Sequence, residues 1–465
     1  MSKSIYTQQL HNKNVLVVGL AKTGVSAAQF LISKGAFVTA ADINSNNEKV
    51  QANAKILQEM GASLAIGHHD PQIFTNADVI VLSPGVPHTI TPIQLAREKN
   101  IPIIGETELA FQFIKQPIVA ITGTNGKTTT VELTGEMLRK SNKQVFVGGN
   151  IGTPLTDLLN NKLSVDIIVL EVSSFQLDTI DTFCPDVAVL LNITEDHLYR
   201  YPDMTAYRES KFNIFKNQQS SHTAILNGQD PYCVFQASAI QSNMIWLDRE
   251  TPKNGEISVS TQSNILKTPF QSTFDLTQTR LIGNHNRQNI AAAVLSSQIT
   301  GGTIEGIQSA INTFKGLPHR VEYVATIKDI SFYNDSKATN VDATIKALQC
   351  FDVPVHLILG GQDKGGDYAC LVPFILQTVC ECILMGEAQP IIQKSLDSHR
   401  EISHIPIYTV KSLEQAVEHV MLHAVSGDVV LLSPACASFD MFDSYNHRGE
   451  TFKAIVHEKQ FSEKK

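Results

Sequence analysis

Residues 119–130 read VAITGTNGKTTT: an apolar run, a glycine-punctuated turn, then a lysine and three threonines. This is the sequence form of a buried strand that passes through a tight loop into a helix. Backbone N–H groups and the helix dipole at such a junction attract an anion. Lys127 adds a cation for outer phosphate charge, and Thr128 adds a hydroxyl of the kind that ligates Mg2+. Gly123, Thr124, Asn125, Gly126 and Thr129 complete the expected cradle. The spacing departs from GxxxxGK[ST], because position 121 is Ile121 and Gly123 lies nearer the lysine. A plain strand-to-helix turn accounts for the glycines but not for a lysine and a hydroxyl at the helix start.

Outward from this loop, short apolar strands alternate with helical patterns and turn signals, which predicts parallel α/β sheets. Three blocks separate. Residues 1–104 hold NVLVVGLAKTG, FVTAAD, VIVLSPG and IPIIG; residues 105–316 hold the phosphate loop, DIIVLEVSS and DVAVLLNI; residues 317–465 hold ISFYNDSKA, VHLILGGQDKGG, ECILMG and DVVLLSPACASF. A length of 465 residues agrees with three domains at roughly 150 residues each. No short internal repeat is visible.

Composition narrows the partners. The chain is 43% hydrophobic and 18% charged, with a net charge of -8, and its Lys and Arg residues form no basic cluster with interleaved aromatics, so nucleic acid is not expected. The seven cysteines are an odd number, widely spaced, without a CxxC pair. Reduced thiols in a cytoplasmic protein fit this pattern. Cys380 and Cys382 alternate onto one strand face, where buried packing is the simpler reading than metal binding. The first residues lack a targeting pattern, and no run of about 18 apolar residues occurs, so no membrane association is expected.

Several polar residues stand where sites gather. Glu171 follows the apolar run DIIVL at a strand's carboxyl end and suits Mg2+, although a helix cap or surface charge is an equal reading. In TEDHLYRY, Asp196 is the better Mg2+ ligand by hardness, and His197 reads more simply as a capping or core residue. Lys211, on the amphipathic pattern YRESKFNIF, reads as a snorkelling surface cation. Asn286 offers a donor and an acceptor to an adenine edge, Arg320 a planar fork for phosphate, Asp335 an acceptor for ribose hydroxyls, and Lys337 positive charge during phosphate transfer. Each of these also fits an ordinary cap, turn or solvated surface. Lys364, in the glycine-flanked turn GGQDKGG, is a cation for a carboxylate ligand or a solvated loop tip.

GLAKTG (19–24) follows a strand, opens a helix and precedes Asp42 after the next strand, imitating a dinucleotide fingerprint. Ala21 replaces the middle glycine and would crowd a pyrophosphate. An NAD-dependent oxidoreductase therefore stays open on these residues, as does a P-loop switch that hydrolyses ATP without ligating anything.

Taken together, TGTNGKTT, GGNIG (148–152), LEVSSFQL (170–177), LNITEDHLYRY (191–201), YRESK (207–211), GNHNRQN (283–289), GLPHRVE (316–322), NDSKATN (334–340) and LLSPACASFDMF (431–442) make the chain resemble the Mur ligase family along its whole length. The resemblance implies three α/β domains: a Rossmann-like N-terminal domain for the UDP-sugar, a central P-loop ATPase-like domain, and a C-terminal Rossmann-like domain for the amino acid. It implies ATP as co-substrate and two Mg2+ ions, with His197 and a carbamylated Lys211 as ligands of the second. Thr23, Asp42, Ser83, Gly85 and Asn150 would line the nucleotide-sugar site; Thr339, Lys364, Ser438, Phe439 and Tyr445 would receive the amino acid. The implied reaction joins D-glutamate to UDP-N-acetylmuramoyl-L-alanine through an acyl phosphate, in peptidoglycan precursor synthesis by a monomer. NDSKATN and SPACASFDMF favour D-glutamate, and no DNPR-like segment points to the diamino-acid branch. Another amino acid of the same family remains the alternative.

Overall fold

The computed structural model describes residues 10–196, 200–252 and 256–463. The chain divides into two compact units, the first formed by Met1–Gln278 with Gln288–Asn312, the second by Thr279–Arg287 with Thr313–Lys465.

The first unit holds two parallel sheets. Strands β1 (Asn14–Val18), β2 (Phe37–Asp42), β3 (Ser63–Ile66), β4 (Val79–Leu82) and β5 (Ile103–Gly105) form the first, in the order β3-β2-β1-β4-β5. Val15 and Val17 enter one hydrophobic cluster while Leu16 and Val18 enter another, so β1 is buried on both faces. This explains its unbroken apolar sequence. β1 pairs with β2 on one side and with β4 on the other, so the strand order reverses at β1. Ligands of open α/β sheets bind at the carboxyl ends beside such a reversal.

Strands β6 (Ile118–Thr122), β7 (Val145–Gly149), β8 (Ile167–Glu171), β9 (Val187–Leu190), β10 (Thr223–Asn227), β11 (Asn243–Leu247) and β12 (Ile257–Val259) form the second sheet, in the order β12-β11-β10-β9-β6-β8-β7. Fully buried β6 lies between β8 and β9, and delivers the phosphate loop to the middle of the sheet's carboxyl edge. A small hairpin of β13 (Ile265–Lys267) and β14 (Thr273–Asp275) follows. The two large sheets are tied by polar contacts. Buried Glu106 accepts from the Thr156 backbone N–H and from its hydroxyl at 2.8 Å, and the Ser26 hydroxyl meets both Thr156 and Asp157.

The second unit is built on β15 (Glu322–Ile327), β16 (Ile330–Asn334), β17 (Val355–Gly360), β18 (Val379–Met385), β19 (Ile407–Thr409) and β20 (Val429–Leu432), ordered β15-β16-β20-β17-β18-β19. Only the β15/β16 pair is antiparallel. Cys380 and Cys382 lie on β18, and all seven cysteines are unpaired. Among the described residues, no helix is long and apolar enough to cross a membrane.

Candidate functional site

The phosphate loop leaves β6 at Thr122 and enters the helix Lys127–Lys140. Gly126 caps that helix with φ 87°, a left-handed conformation that glycine adopts without a Cβ penalty. A Cβ there would also run into the Asn289 amide. Asn192 clasps the loop, accepting from the Asn125 N–H at 2.8 Å and donating to the Asn125 carbonyl at 3.0 Å. The Lys127 ammonium folds back and donates to the Gly123 and Thr124 carbonyls, both at 2.8 Å. Lysine thus stands inside the cradle.

Glu171 ends β8 in register with Ile121 and is buried. Its carboxylate accepts from the Thr128 hydroxyl at 2.8 Å and from the Asn150 amide at 3.0 Å. The surface-charge and cap readings of Glu171 give way to a pair of hard oxygens beside the loop. Among the described residues, no group of three or more His, Cys, Asp or Glu side chains could hold a metal ion unaided. That suits Mg2+, which typically takes one or two protein ligands together with substrate phosphates.

Lys211 overturns the surface-cation expectation. On the helix Met204–Phe212 it is fully buried, lies over the Tyr207 ring at 4.6 Å and donates to the Gly123 carbonyl at 2.8 Å. Burial, reinforced by the Lys127 charge, pushes its pKa well below the ordinary lysine value. The amine is held toward its neutral, nucleophilic form. Tyr207 itself meets the Thr124 hydroxyl at 3.2 Å. Asp196 lies close enough to raise the Lys211 pKa, opposing these effects. His197 lies outside the described residues.

The residues expected to line a nucleotide-sugar site gather mostly at the carboxyl ends of the first sheet. Thr23, Asp42, Ser83 and Gly85 line a cavity of about 510 Å³ together with Ala21, His69, Asn150 and Gln176. The Ser83 hydroxyl donates to the Gly19 carbonyl at 2.7 Å, fixing the turn after β1. Asn150 lines this cavity and also bonds Glu171, so one side chain joins the cavity to the phosphate loop. Arg200 adds a clamp, stacking over Phe175 at 4.5 Å and donating to the Val86 carbonyl at 2.8 Å.

In the second unit, Asn286 is buried and its amide donates to the Ile282 carbonyl at 2.7 Å. Arg320 is half-buried. Asp335 accepts from the Ser433 hydroxyl at 2.8 Å and the Val321 N–H at 3.2 Å, and burial raises its pKa to about 7. Lys337 lies over the Tyr445 ring at 5.2 Å. Thr339 is half-buried, and its N–H reaches the Lys337 carbonyl at 2.9 Å. Ser438 is buried, and its carbonyl accepts from Met441 and Phe442; Phe439 and Lys364 are exposed. Sequence reading missed Arg448. Buried in the helix Tyr445–Glu463, it donates to the Ser336 hydroxyl and carbonyl and to the Cys436 and Ala437 carbonyls, at 2.8 to 3.1 Å. It pins the NDSKA and PACAS loops to each other. Tyr207, Asn192 and Asn289 were missed as well. Only their place within the quoted segments marked them.

Three family models match successive stretches: the Mur ligase MurD-like N-terminal domain over residues 13–105, the Mur ligase middle domain over 121–297, and the Mur ligase glutamate ligase domain over 319–436. A UDP-N-acetylmuramoylalanine--D-glutamate ligase of Desulfatibacillum aliphaticivorans is 44% identical, covering 96% of this chain and 98% of its own. A ligase of the same name from Desulfosudis oleivorans is 43% identical, covering 96% of each. A pseudomurein peptide ligase type C from Methanothermus fervidus shares the fold at a TM-score of 0.58 and 21% identity, covering 96% of this chain and 100% of that one. With the phosphate loop, the cavity and the second unit in their described places, and with near full-length identity above 40%, this chain belongs to the Mur ligase family.

Proposed function

We propose that the chain joins D-glutamate to UDP-N-acetylmuramoyl-L-alanine with hydrolysis of ATP to ADP and phosphate, a step of peptidoglycan precursor synthesis. The observation that carries this reading is Asn150, which lines the nucleotide-sugar cavity while bonding the carboxylate that holds Thr128 of the phosphate loop. A substrate in that cavity can present its terminal carboxylate to ATP held by the loop. The names and coverage of the relatives support the choice of substrates.

In the first step a carboxylate oxygen of the alanine forms a bond to the γ-phosphorus as the bond to the β-phosphate oxygen breaks, giving an acyl phosphate and ADP. The D-glutamate amine then attacks the acyl carbon, loses a proton, and phosphate leaves with the C–O bonding pair. Lys127 and the loop N–H groups offset charge on the transferring phosphate, where positioning and electrostatics supply most of the acceleration. Thr128 and Glu171 would hold one Mg2+ ion, and His197 with a carbamylated Lys211 would hold a second, whose charge would screen the phosphates. The buried, weakly basic Lys211 amine supports carbamylation, because only a neutral amine attacks carbon dioxide. Asn286, Arg320, Asp335 and Lys337 take the roles of nucleotide contacts in this reading. Thr339, Lys364, Ser438, Phe439 and Tyr445 take those of amino-acid contacts. Domain boundaries at 104/105 and 316/317, a cytoplasmic location and a monomeric state belong to the same reading.

An amino-acid panel tests it. With ATP and the nucleotide sugar present, phosphate release should require D-glutamate. Equal release with L-alanine or a diamino acid would reassign the substrate, and release indifferent to amino acids would mark a non-ligating ATPase.

A further inference from the structure

From the end of β17 the chain reads GGQDKGGDY (360–368) and carries Lys364 at an exposed tip between Asp363 and two glycines. Gly365 adopts φ 77°, and a Cβ there would meet nothing within 4 Å, so the tip has little packing of its own. The place of Lys364 is therefore set by the roots of the loop. At the first root, Gln362 and Ala437 exchange backbone hydrogen bonds at 2.9 and 3.0 Å, which joins the loop to the residue before Ser438.

Tyr368 supplies the second root. It is buried in the hydrophobic cluster with Leu359, Leu371 and Ile375, and it starts the short 3-10 helix Tyr368–Leu371. Its hydroxyl donates to the Asp363 carboxylate at 2.7 Å and lies 3.1 Å from the Cys436 thiol. A buried phenol needs a partner for its hydroxyl, and a carboxylate is the stronger kind. Burial, with both neighbours acting in the same direction, raises the Tyr368 pKa, so the phenol keeps its proton and remains a donor. The bond ties residue 363 to residue 368 and so closes the loop around its tip. A Cβ on Gly366 would come within 3.7 Å of the Tyr368 ring, so the returning chain lies over the phenol. One hydroxyl thus meets both segments expected to receive the amino acid, the Lys364 loop through Asp363 and the PACAS loop through Cys436.

We propose that Tyr368 is a positioning residue for the amino acid: through Asp363, its hydroxyl fixes the Lys364 loop against the segment that carries Ser438. The inference rests on the ligase reading above and names what sets the spacing between two of its amino-acid contacts. Tyr368 acts through Asp363 rather than by contact with substrate. A cation on a glycine-rich tip samples many positions, and substrate that selects one of them pays for the ordering. Holding the loop beforehand removes part of that cost. The effect falls on the amino acid, because ATP and the nucleotide sugar are assigned to other residues.

Steady-state kinetics of the full chain test the assignment. Tyr368→Phe keeps the ring in the core and removes the hydroxyl. It should raise the D-glutamate KM about tenfold, with kcat and the KM values for ATP and nucleotide sugar within about twofold of native. A purely structural role would lower the melting temperature without that split. Asp363→Ala should raise the same KM about tenfold, and the double variant no more than either alone. Asp363→Asn, whose amide oxygen still accepts, should stay within about threefold of native. Should Tyr368→Phe not fold, the two Asp363 variants carry the test. An unchanged D-glutamate KM in folded Tyr368→Phe or Asp363→Ala, equal rises for all three substrates, or equal losses from Asp363→Asn and Asp363→Ala would overturn the assignment. Product formation by the native chain separates the two levels: normal product from D-glutamate with indifferent variants removes Tyr368 alone, whereas no product from D-glutamate removes the ligase reading and this inference with it.

Discussion

Two junctions in the first unit share one local form, a buried strand, a short turn and a helix that begins at a lysine, yet they treat that lysine in opposite ways. After β6 the residue before the lysine is Gly126 at φ 87°, and Lys127 folds inward onto the Gly123 and Thr124 carbonyls. After β1 it is Ala21 at φ -72° and ψ 179°, and exposed Lys22 reaches outward to the Gly152 carbonyl at 2.6 Å. The first junction turns its cation onto the backbone of its own loop. The second forms one wall of a cavity and leaves its cation exposed. A left-handed residue reverses the chain direction inside the loop, which an L side chain resists. The loop after β6 is one residue longer than the loop after β1, and it sets its left-handed Gly126 directly before the lysine, where the loop after β1 has extended Ala21 and keeps its left-handed residue at Gly19.

The largest test of this contrast removes each lysine in turn. Lys127→Ala should cut phosphate release by about a thousandfold or more with all three substrates saturating, because the transferring phosphate loses its cation. Lys22→Ala should leave that rate within about threefold, as expected for an exposed charge. Comparable losses at both positions would erase the distinction between the junctions.

Lys211 sharpens the first junction, since its amine shares the Gly123 carbonyl with Lys127. Lys211→Arg should lower turnover by about a hundredfold or more while keeping a positive charge, because a guanidinium stays protonated and cannot carry a carbamate. Near-native turnover would leave Lys211 a packing residue only, as would intact-mass spectra of the active enzyme prepared under bicarbonate that retain no carbamate.

A smaller effect comes from the capping positions. Gly126→Ala forces a Cβ into the left-handed region and against Asn289. It should raise the ATP KM by about tenfold and lower stability by about 1 to 2 kcal/mol, read by melting of the full chain. Ala21→Gly, the exchange in the other direction, should change the nucleotide-sugar KM by less than about threefold, because an extended residue gains only chain freedom from the swap. If the two swaps have equal effects, backbone handedness does not distinguish the loops.

Much of this architecture is legible in the sequence because its causes are local. Strands β1, β6, β8, β9 and β20 read as apolar runs because both faces of a parallel sheet are covered, and β17 does so apart from His356, whose ring finds Glu381 and Asp428 as buried partners. The phosphate loop is legible because a glycine turn, a lysine and hydroxyls at a helix start are adjacent in the chain. The positions of Asp42, Ser83 and Glu171 at strand carboxyl ends are legible because Asp42 and Glu171 end their strands and Ser83 follows its strand directly, whereas Thr23 stands in the first turn of the helix after β1.

Burial and partner choice were decided by tertiary structure alone. Helical periodicity over YRESKF allowed Lys211 to face solvent, but a carbonyl 88 residues earlier holds it inside. Arg448 looks like any cation on a terminal helix until Ser336, 112 residues away, meets its guanidinium. Asp42 reads as a ligand contact from its position, and only the fold shows each of its oxygens accepting from a backbone N–H group. Sequence patterns report which face of an element is apolar. Which polar atom finds which partner depends on groups that only the folded chain brings within about 3 Å.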